Sequence, residues 1–390
     1  MNNNEKYFVS LIASYLNNEA PDLPENIDWA EIYRLAKINN ISAITANQII
    51  RLDKKYQPEG ELLSDFKQQI GYTLIDFEEK EKAVDAVKVF LNSLKIDRIF
   101  VKGEIIKNYY PDKELRTSAD TDIIIRDRDL TRLHNVLNGH GFGIYDVKAV
   151  GFSVKVYNQS IEFHSNLDYD NKYFKNIFDF ASCSGNEYVI DDYNHLLYVM
   201  CHIIKHFRFC GAGIKMFMDI DVFIRHIGNF DYDRFIGMCK ELGIDTFSKA
   251  ALSLCNYLFK TPVRAEFDFE KDYELRQLFE NEIINGGSFG FSKRDLGSYY
   301  KVASSKNGNV SRIKAFSALF FPDSEYLKNQ FGYAKKHSAL LPAAWFNRII
   351  LAVFKNGRHS VNTINSIAKS SSDSSYIKLL KELEISDKNL

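Results

Sequence analysis

Through the first 95 residues, hydrophobic side chains recur at spacings of three and four, the period of a helix buried on one face. In the first such segment they are Tyr7, Leu11, Ile12 and Tyr15. A second helix is predicted to begin near Asn26–Asp28 and to carry Trp29, Ile32, Tyr33 and Leu35, and longer amphipathic stretches follow between Glu59 and Leu94. The pattern therefore predicts a helical N-terminal region over residues 1–95, acting as a scaffold.

From residue 96 the pattern changes to short runs of β-branched and aromatic residues separated by turns, which is typical of strands. Strands are predicted at Asp97–Val101, Asp122–Arg126, Val154–Tyr157 and Ser160–His164. Helices are predicted to open after Gly103 and to run from Asp129 to Asn138. The order strand, helix, strand, helix, strand, strand indicates a small α/β domain over residues 96–190.

Beyond Asp191 the helical period returns. Its strongest segment is Tyr193–Phe209, and further helices are predicted over 214–227, 231–243 and 246–259. This gives a C-terminal helical domain over residues 191–350, in which the Gly- and Ser-rich stretch 286–309 is expected to be a loop. A tail over residues 351–390 contains the Ser-rich segment Ser370–Ser375, predicted to be a flexible linker. The predicted fold class is α+β, a mixed-sheet domain flanked by helical regions.

Charge and cysteine content narrow the function classes. Lys and Arg total 50 and Asp and Glu total 51, so the net charge of −1 gives no overall attraction to nucleic acid, which is not the expected substrate. The five cysteines are odd in number and form no C-x-x-C pair, which suits a reducing cytoplasm rather than a disulfide scaffold. No signal-peptide core and no apolar run of about 18 residues occur, so we expect a cytoplasmic protein without a transmembrane segment.

Three carboxylates form the most suggestive chemical pattern. Asp120 and Asp122 are separated by one position on a predicted strand, so their side chains point to the same face. Glu162 lies in a strand where Ile161 and Phe163 can face the core, leaving Glu162 to face the same side as the two aspartates if the strands are neighbours. Such oxygen ligands suit Mg²⁺, and the third acid could also deprotonate an acceptor hydroxyl.

A second group of residues is suited to holding phosphate. Gly103 follows a predicted strand and precedes a helix, where backbone N–H groups and the helix N-terminus favour anions. Lys102 and Arg116 supply positive charge close by in sequence, and Ser118 supplies a hydroxyl. Together with the carboxylates, these residues are suited to a phosphate-bearing ligand and the metal that accompanies it.

These motifs occur in a recognisable order. The stretch Val101-Lys-Gly-Glu-Ile-Ile106, then Tyr110-Pro-Asp112, Arg116 and Asp120-Thr-Asp-Ile-Ile-Ile125, resembles the uncharacterised nucleotidyltransferase family of the DNA polymerase beta-like superfamily. Looser similarity extends from Trp29–Ala36 to Leu341–Pro342. The resemblance implies a minimal nucleotidyltransferase fold, two Mg²⁺ ions and an NTP donor. It also implies that Asp120 and Asp122 are metal ligands, Glu162 is the third acid and Gly103 is the phosphate-loop glycine.

Further polar groups leave alternatives open. His195, His202 and His206 can share one face of a helix beside Lys205. They could bind Zn²⁺ or form an interhelical cluster, while His202, Lys205 and His206 could instead face the substrate. His164 could orient Glu162 or touch the substrate. In the second D-x-D pair, Asp219 is a possible hydrogen-bond anchor and Asp221 is expected to be solvated. Asp168 and Asp170 are expected in a loop.

The predicted function is transfer of an NMP group from an NTP, with ATP as the expected donor, to a small-molecule or protein acceptor by two-metal-ion in-line attack. One alternative is a nucleotide-binding regulatory module with weakened catalysis. It is suggested by Glu104, which stands where the superfamily has Ser or Gly and would repel triphosphate unless it points away. The other alternative is a toxin-like nucleotidyltransferase acting on tRNA, which the balanced charge disfavours. The sequence does not identify the acceptor.

Overall fold

Four helices precede the sheet in the computed structural model, which describes residues 1–148, 150–165, 174–209, 211–269, 272–288, 324–354 and 375–385. They are α1 (Asn3–Leu16), α2 (Trp29–Ile38), α3 (Ser42–Arg51) and α4 (Gly60–Ser93). Asn2 and Glu5 form a capping box at the start of α1, and the Asp28 side chain caps α2. The predicted helical character of this region is confirmed.

The sheet has seven strands among the described residues. They are β1 (Arg98–Phe100), β2 (Asp120–Ile125), β3 (Ile144–Lys148), β4 (Gly151–Val156), β5 (Gln159–His164), β6 (Ala181–Ser184) and β7 (Glu187–Ile190). Their order is β3-β4-β5-β2-β1-β7-β6. The central strand β2 pairs antiparallel with β1 and parallel with β5. The sheet is therefore mixed, and the fold is α+β as predicted.

Two short helical segments frame β2. The turn after β1 opens α5 (Gly103–Ile106), and α6 (Asp127–Gly139) follows β2. Ile123 and Ile125 face a core shared with α6 and the C-terminal half of α4, while Ile124 faces the larger core on the other side of the sheet. Burial on both faces fixes the register of β2, because a one-residue slip would exchange the two faces and move both aspartates.

Helices dominate the described residues after the sheet. They are α7 (Asp192–Phe209), α8 (Ile214–Ile227), α9 (Tyr232–Glu241), α10 (Asp245–Phe259), α11 (Tyr273–Asn285), α12 (Ser324–Gln330), α13 (Gly332–Lys336), α14 (Leu341–Phe354) and α15 (Ser375–Glu382). The first four confirm the predicted helices. No helix in the described part of the chain is long and apolar enough to cross a membrane.

Helices from both ends of the chain share one hydrophobic core. Phe8 and Leu11 of α1 belong to the same buried cluster as Phe207 of α7, Phe217 of α8 and Leu254 of α10. The predicted loop at 286–309 and the predicted linker at Ser370–Ser375 lie almost wholly outside the described residues. The helices before and after the sheet therefore pack together into one core, which covers one face of the sheet.

Candidate functional site

Two of the predicted carboxylates meet where β2 and β5 run side by side. The parallel pairing sets Asp122 opposite Glu162 and Ile124 opposite His164. One ligand atom from each of Asp122, Glu162 and His164 lies within 4.8 Å of the others. In the described part of the chain, these three side chains form the cluster of His, Cys, Asp or Glu groups that is compact enough to hold a metal ion.

Asp120 lies one pleat away from this trio, at the start of β2 and opposite Ser160. It is not one of the three residues whose ligand atoms converge in the described structure. Its pKa is raised, first by burial and then by the negative charges of Asp122 and Glu162. The negative charges of Asp122 and Glu162 therefore act on Asp120, but its carboxylate is not one of the three converging ligand groups.

Asp122 is the most buried of the three acids and is held by two cationic partners. Its Oδ1 accepts from Lys102 Nζ at 2.8 Å and lies 3.1 Å from His164 Nε2. Burial alone would raise the pKa of Asp122, but the Lys102 charge and the His164 contact hold it well below its usual range. Asp122 is therefore an ionised carboxylate in a largely buried position.

His164 lies between two acids. Its Nε2 is 3.4 Å from Glu162 Oε2 as well as close to Asp122. Burial opposes protonation of the ring, yet hydrogen bonding to the two carboxylates raises the pKa of His164 to about 9. His164 therefore contacts Asp122 as well as Glu162, the neighbour that its sequence position suggested.

Lys102 occupies a strained turn between β1 and α5. Its φ of 53° and ψ of −126° lie in a region that residues with side chains rarely adopt. The backbone N–H of Lys102 donates to Nε2 of buried His195 at 3.0 Å. Burial lowers the pKa of His195 to about 4, so its neutral ring can accept this bond. The turn directs Lys102 Nζ toward Asp122.

Arg116, predicted to contact triphosphate, is largely engaged by another acid. Its Nε and Nη2 donate to the two carboxylate oxygens of Asp219 at 2.9 and 2.7 Å, and the Tyr110 hydroxyl donates to the same carboxylate at 2.7 Å. The remaining nitrogen, Nη1, is buried without a hydrogen-bond partner among the described residues. Asp219 is thus an anchor for the segment that leads into β2.

The need for glycine at position 103 follows from Arg116 rather than from the turn alone. A Cβ built on Gly103 would lie 2.5 Å from Arg116 Nη1, closer than real side chains pack. The guanidinium therefore packs directly on the Gly103 backbone. Gly103 and the last free nitrogen of Arg116 lie side by side at the start of α5.

Glu104 lines the same cleft as Gly103 and Arg116, where a neighbouring lysine pairs with it. Its Oε1 accepts from Lys107 Nζ at 2.9 Å, and Lys107 also contacts Glu81 of α4. The pKa of Glu104 is raised by burial, although Lys107 opposes the rise. The negative charge at position 104 is therefore paired within the protein.

Ser118 contacts a lysine that sequence reasoning did not single out. Its Oγ accepts from Lys80 Nζ at 2.9 Å, and its backbone carbonyl accepts from the same ammonium. Lys215 Nζ donates to the Thr117 carbonyl at 2.9 Å, and burial lowers the pKa of Lys215 to about 8. These lysines come from α4 and α8, and no local motif connects either to the segment around Ser118.

The histidines of α7 separate into two roles. His195 binds the Lys102 backbone, whereas Nε2 of His202 and Nε2 of His206 lie 3.0 Å apart. Burial and the nearby charge of Lys102 lower the pKa of both, that of His206 to about 4. The pair therefore lies on the Lys102 side of α7, and Lys205 is on the same helix.

One expectation about acids is wrong. Asp221 was predicted to be solvated, but it is fully buried. It accepts from Arg225 Nε at 2.8 Å and from Thr261 Oγ1 at 2.6 Å. Arg225 lies one helical turn further along α8, whereas Thr261 follows the C-terminal end of α10. Local periodicity does not reveal this second contact. Asp168 and Asp170 lie outside the described residues.

A sequence model described as an uncharacterised nucleotidyltransferase matches residues 25–260, more than half of the chain. The chain therefore belongs to this uncharacterised nucleotidyltransferase family, as its motifs suggested. No curated protein and no solved structure matches it. The two carboxylate oxygens and one imidazole nitrogen of the trio are chemically suited to a divalent cation, the kind of cofactor that nucleotidyl transfer generally uses.

Proposed function

We propose that this protein transfers a nucleoside monophosphate from an NTP, with ATP as the donor, to a small-molecule or protein acceptor. The observation that carries the proposal is the parallel pairing of Asp122 with Glu162. It joins two acids in one group at the same edge as the Lys102–Gly103 turn. Family membership supports nucleotidyl transfer in general, and these contacts are the basis for the finer assignment.

In the proposed reaction, an acceptor hydroxyl oxygen attacks the α-phosphorus of the NTP in line with the leaving pyrophosphate. A bond from that oxygen to phosphorus forms and the bond between the α-phosphorus and the bridging oxygen breaks. Glu162, the most exposed member of the trio, takes the hydroxyl proton. Asp120, Asp122 and Glu162 would hold the two Mg²⁺ ions, which would neutralise phosphate charge during the transfer.

The donor would lie along the turn after β1. Lys102 and Nη1 of Arg116 supply positive charge there, and Ser118 supplies a hydroxyl in the cleft that Gly103 and Arg116 also line. The nucleotide or the acceptor would also contact α7 through His202, Lys205 and His206. The charge of Lys102 helps to lower the pKa of both histidines, which indicates that they lie near Lys102. Because Lys107 pairs with Glu104, this carboxylate would repel triphosphate less than an unpaired one, which disfavours the weakened regulatory module.

The test is label transfer from α-³²P NTPs, together with pyrophosphate release, in the presence of divalent metal. We expect the Asp120→Asn/Asp122→Asn variant to lose at least about 100-fold in rate, the scale of one lost electrostatic contact at a reacting phosphate. A matched control, Asp85→Asn/Asp146→Asn, neutralises two exposed acids and should retain the wild-type rate. Equal rates in the wild type and the first variant would refute the site, and nucleotide addition to bulk RNA would favour the tRNA-directed alternative.

A further inference from the structure

The position of His164 on β5 determines where its Nε2 atom lies. Alternation along β5 sends Ile161 and Phe163 into the core and leaves Glu162 and His164 on the same face. His164 therefore presents Nε2 at the point where Asp122 and Glu162 meet, at 3.1 and 3.4 Å from their oxygens. Two ligands at right angles around one ion, each about 2.1 Å from it, lie about 3 Å apart. The observed spacings match that geometry.

The opposite edge of the ring is accommodated by a glycine. Gly151 of β4 pairs with His164 across the sheet, and a Cβ at Gly151 would lie 3.3 Å from His164 Nδ1 and 2.5 Å from the Phe163 carbonyl. The absence of a side chain at position 151 leaves room for the imidazole. The ring is thus seated with Nδ1 over Gly151 and Nε2 directed at the two carboxylates.

We propose that His164 is a direct metal ligand and that its nitrogen makes this site selective for Mn²⁺ over Mg²⁺. This inference rests on the proposed function for the presence of divalent ions and refines it, since it assigns Mn²⁺ in place of Mg²⁺ to the ion held by Asp122 and Glu162. Mg²⁺ favours oxygen donors throughout its shell. An imidazole nitrogen strengthens binding of first-row transition ions more than binding of Mg²⁺, so a site with one nitrogen and two oxygens favours the transition ion.

The experiment uses the full-length protein with Mn²⁺ as the probe. Pulsed electron paramagnetic resonance of bound Mn²⁺ should show coupling to an imidazole ¹⁴N in the wild type, and the coupling should vanish in His164→Gln. We expect the Mn²⁺ dissociation constant to rise at least tenfold in that variant. The dissociation constant of Mg²⁺, measured by competition, should change less than threefold. His140→Gln, at an exposed histidine, should match the wild type.

Two results would overturn the inference. One is bound Mn²⁺ without nitrogen coupling in the wild type, a measurement that does not depend on the variant folding. The other is an equal loss of Mn²⁺ and Mg²⁺ affinity in His164→Gln, which would mean that His164 only orients the carboxylates. Nitrogen coupling without NTP turnover would refute the proposed function and leave the ligand assignment standing, whereas turnover with Mg²⁺ and no nitrogen coupling would do the reverse.

Discussion

The hydrogen bond between His195 and the Lys102 backbone leads to a specific prediction about pH and stability. Nε2 can accept the Lys102 N–H only while the ring is neutral at that nitrogen. Burial lowers the pKa of His195 from 6.5 to about 4, so folding favours the neutral form. The resulting stability is fully present above pH 6.5 and is lost as the pH falls through about 4. The shift corresponds to about 3 kcal/mol of unfolding free energy.

The informative variant is His195→Gln. A glutamine carbonyl oxygen can reach the position of Nε2 and accept the same bond, but it carries no proton that titrates in this range. At pH 7 we expect the variant to be less stable than the wild type because of imperfect packing. As the pH falls from 7 to 4, the difference should move by about 3 kcal/mol in favour of the variant.

The assay is urea denaturation followed by circular dichroism at several pH values, with both proteins measured in parallel. His202 and His206 also have lowered pKa values, but they are present in both proteins and cancel in the difference. His195→Ala should be destabilised at every pH, since it leaves the Lys102 N–H buried without an acceptor at a cost of about 1–3 kcal/mol. Parallel pH profiles for the wild type and His195→Gln would refute a buried, neutral His195 ring, and with it the acceptor role assigned to Nε2.

Three further substitutions test the surroundings of the site. Asp219→Ala leaves the Arg116 guanidinium buried without its partner and should lower the unfolding free energy, measured by urea titration, by about 3–5 kcal/mol. A loss under about 1 kcal/mol would contradict the role of Asp219 as the anchor of Arg116. Gly103→Ala should lower the unfolding free energy by about 1–3 kcal/mol, because its added Cβ would overlap with Arg116. Gly237→Ala is the matched control, since a Cβ at this position on α9 meets open space, and in the same measurement it should be neutral or stabilising. Glu104→Gln should leave the NTP dissociation constant within about twofold by calorimetry, since that charge is already paired; tighter binding by tenfold would revive the weakened regulatory module.

Sequence periodicity was sufficient for the elements whose one face is buried. The helical region before the sheet, helices α7 to α10 and the strands around Ile99, Ile123 and Ile161 carry regular apolar positions and were predicted. Strands β3 and β6 are mostly exposed, and β7 is buried only at Ile190, so they lack the alternation that reveals a half-buried strand. β3 and β6 are the two edge strands, and β7 lies between β6 and β1, so the exposure falls at the two ends of the sheet and explains the missing signal.

The candidate site divides along similar lines. Asp122, Glu162 and Gly103 were singled out because local spacing on a strand or at a turn predicts their roles. Those roles stay predictions, and the structure adds that Asp122 and Glu162 lie opposite each other. The partner of Arg116 lies 103 residues away and the His195 contact with Lys102 spans 93 residues. Periodicity carries no information about such distant partners, so Arg116 was assigned to phosphate although Asp219 holds two of its nitrogens.

These distant contacts converge on the single turn between β1 and α5. His195 of α7 fixes the Lys102 backbone in a strained conformation, and Asp219 of α8 holds Arg116 against Gly103. Strain of about 1–3 kcal/mol persists only where surrounding structure imposes it, and here α7 and α8 do so. The geometry that directs Lys102 at Asp122 is therefore set by the helices that follow the sheet. Both of these helices lie within residues 25–260, the region that matches the family.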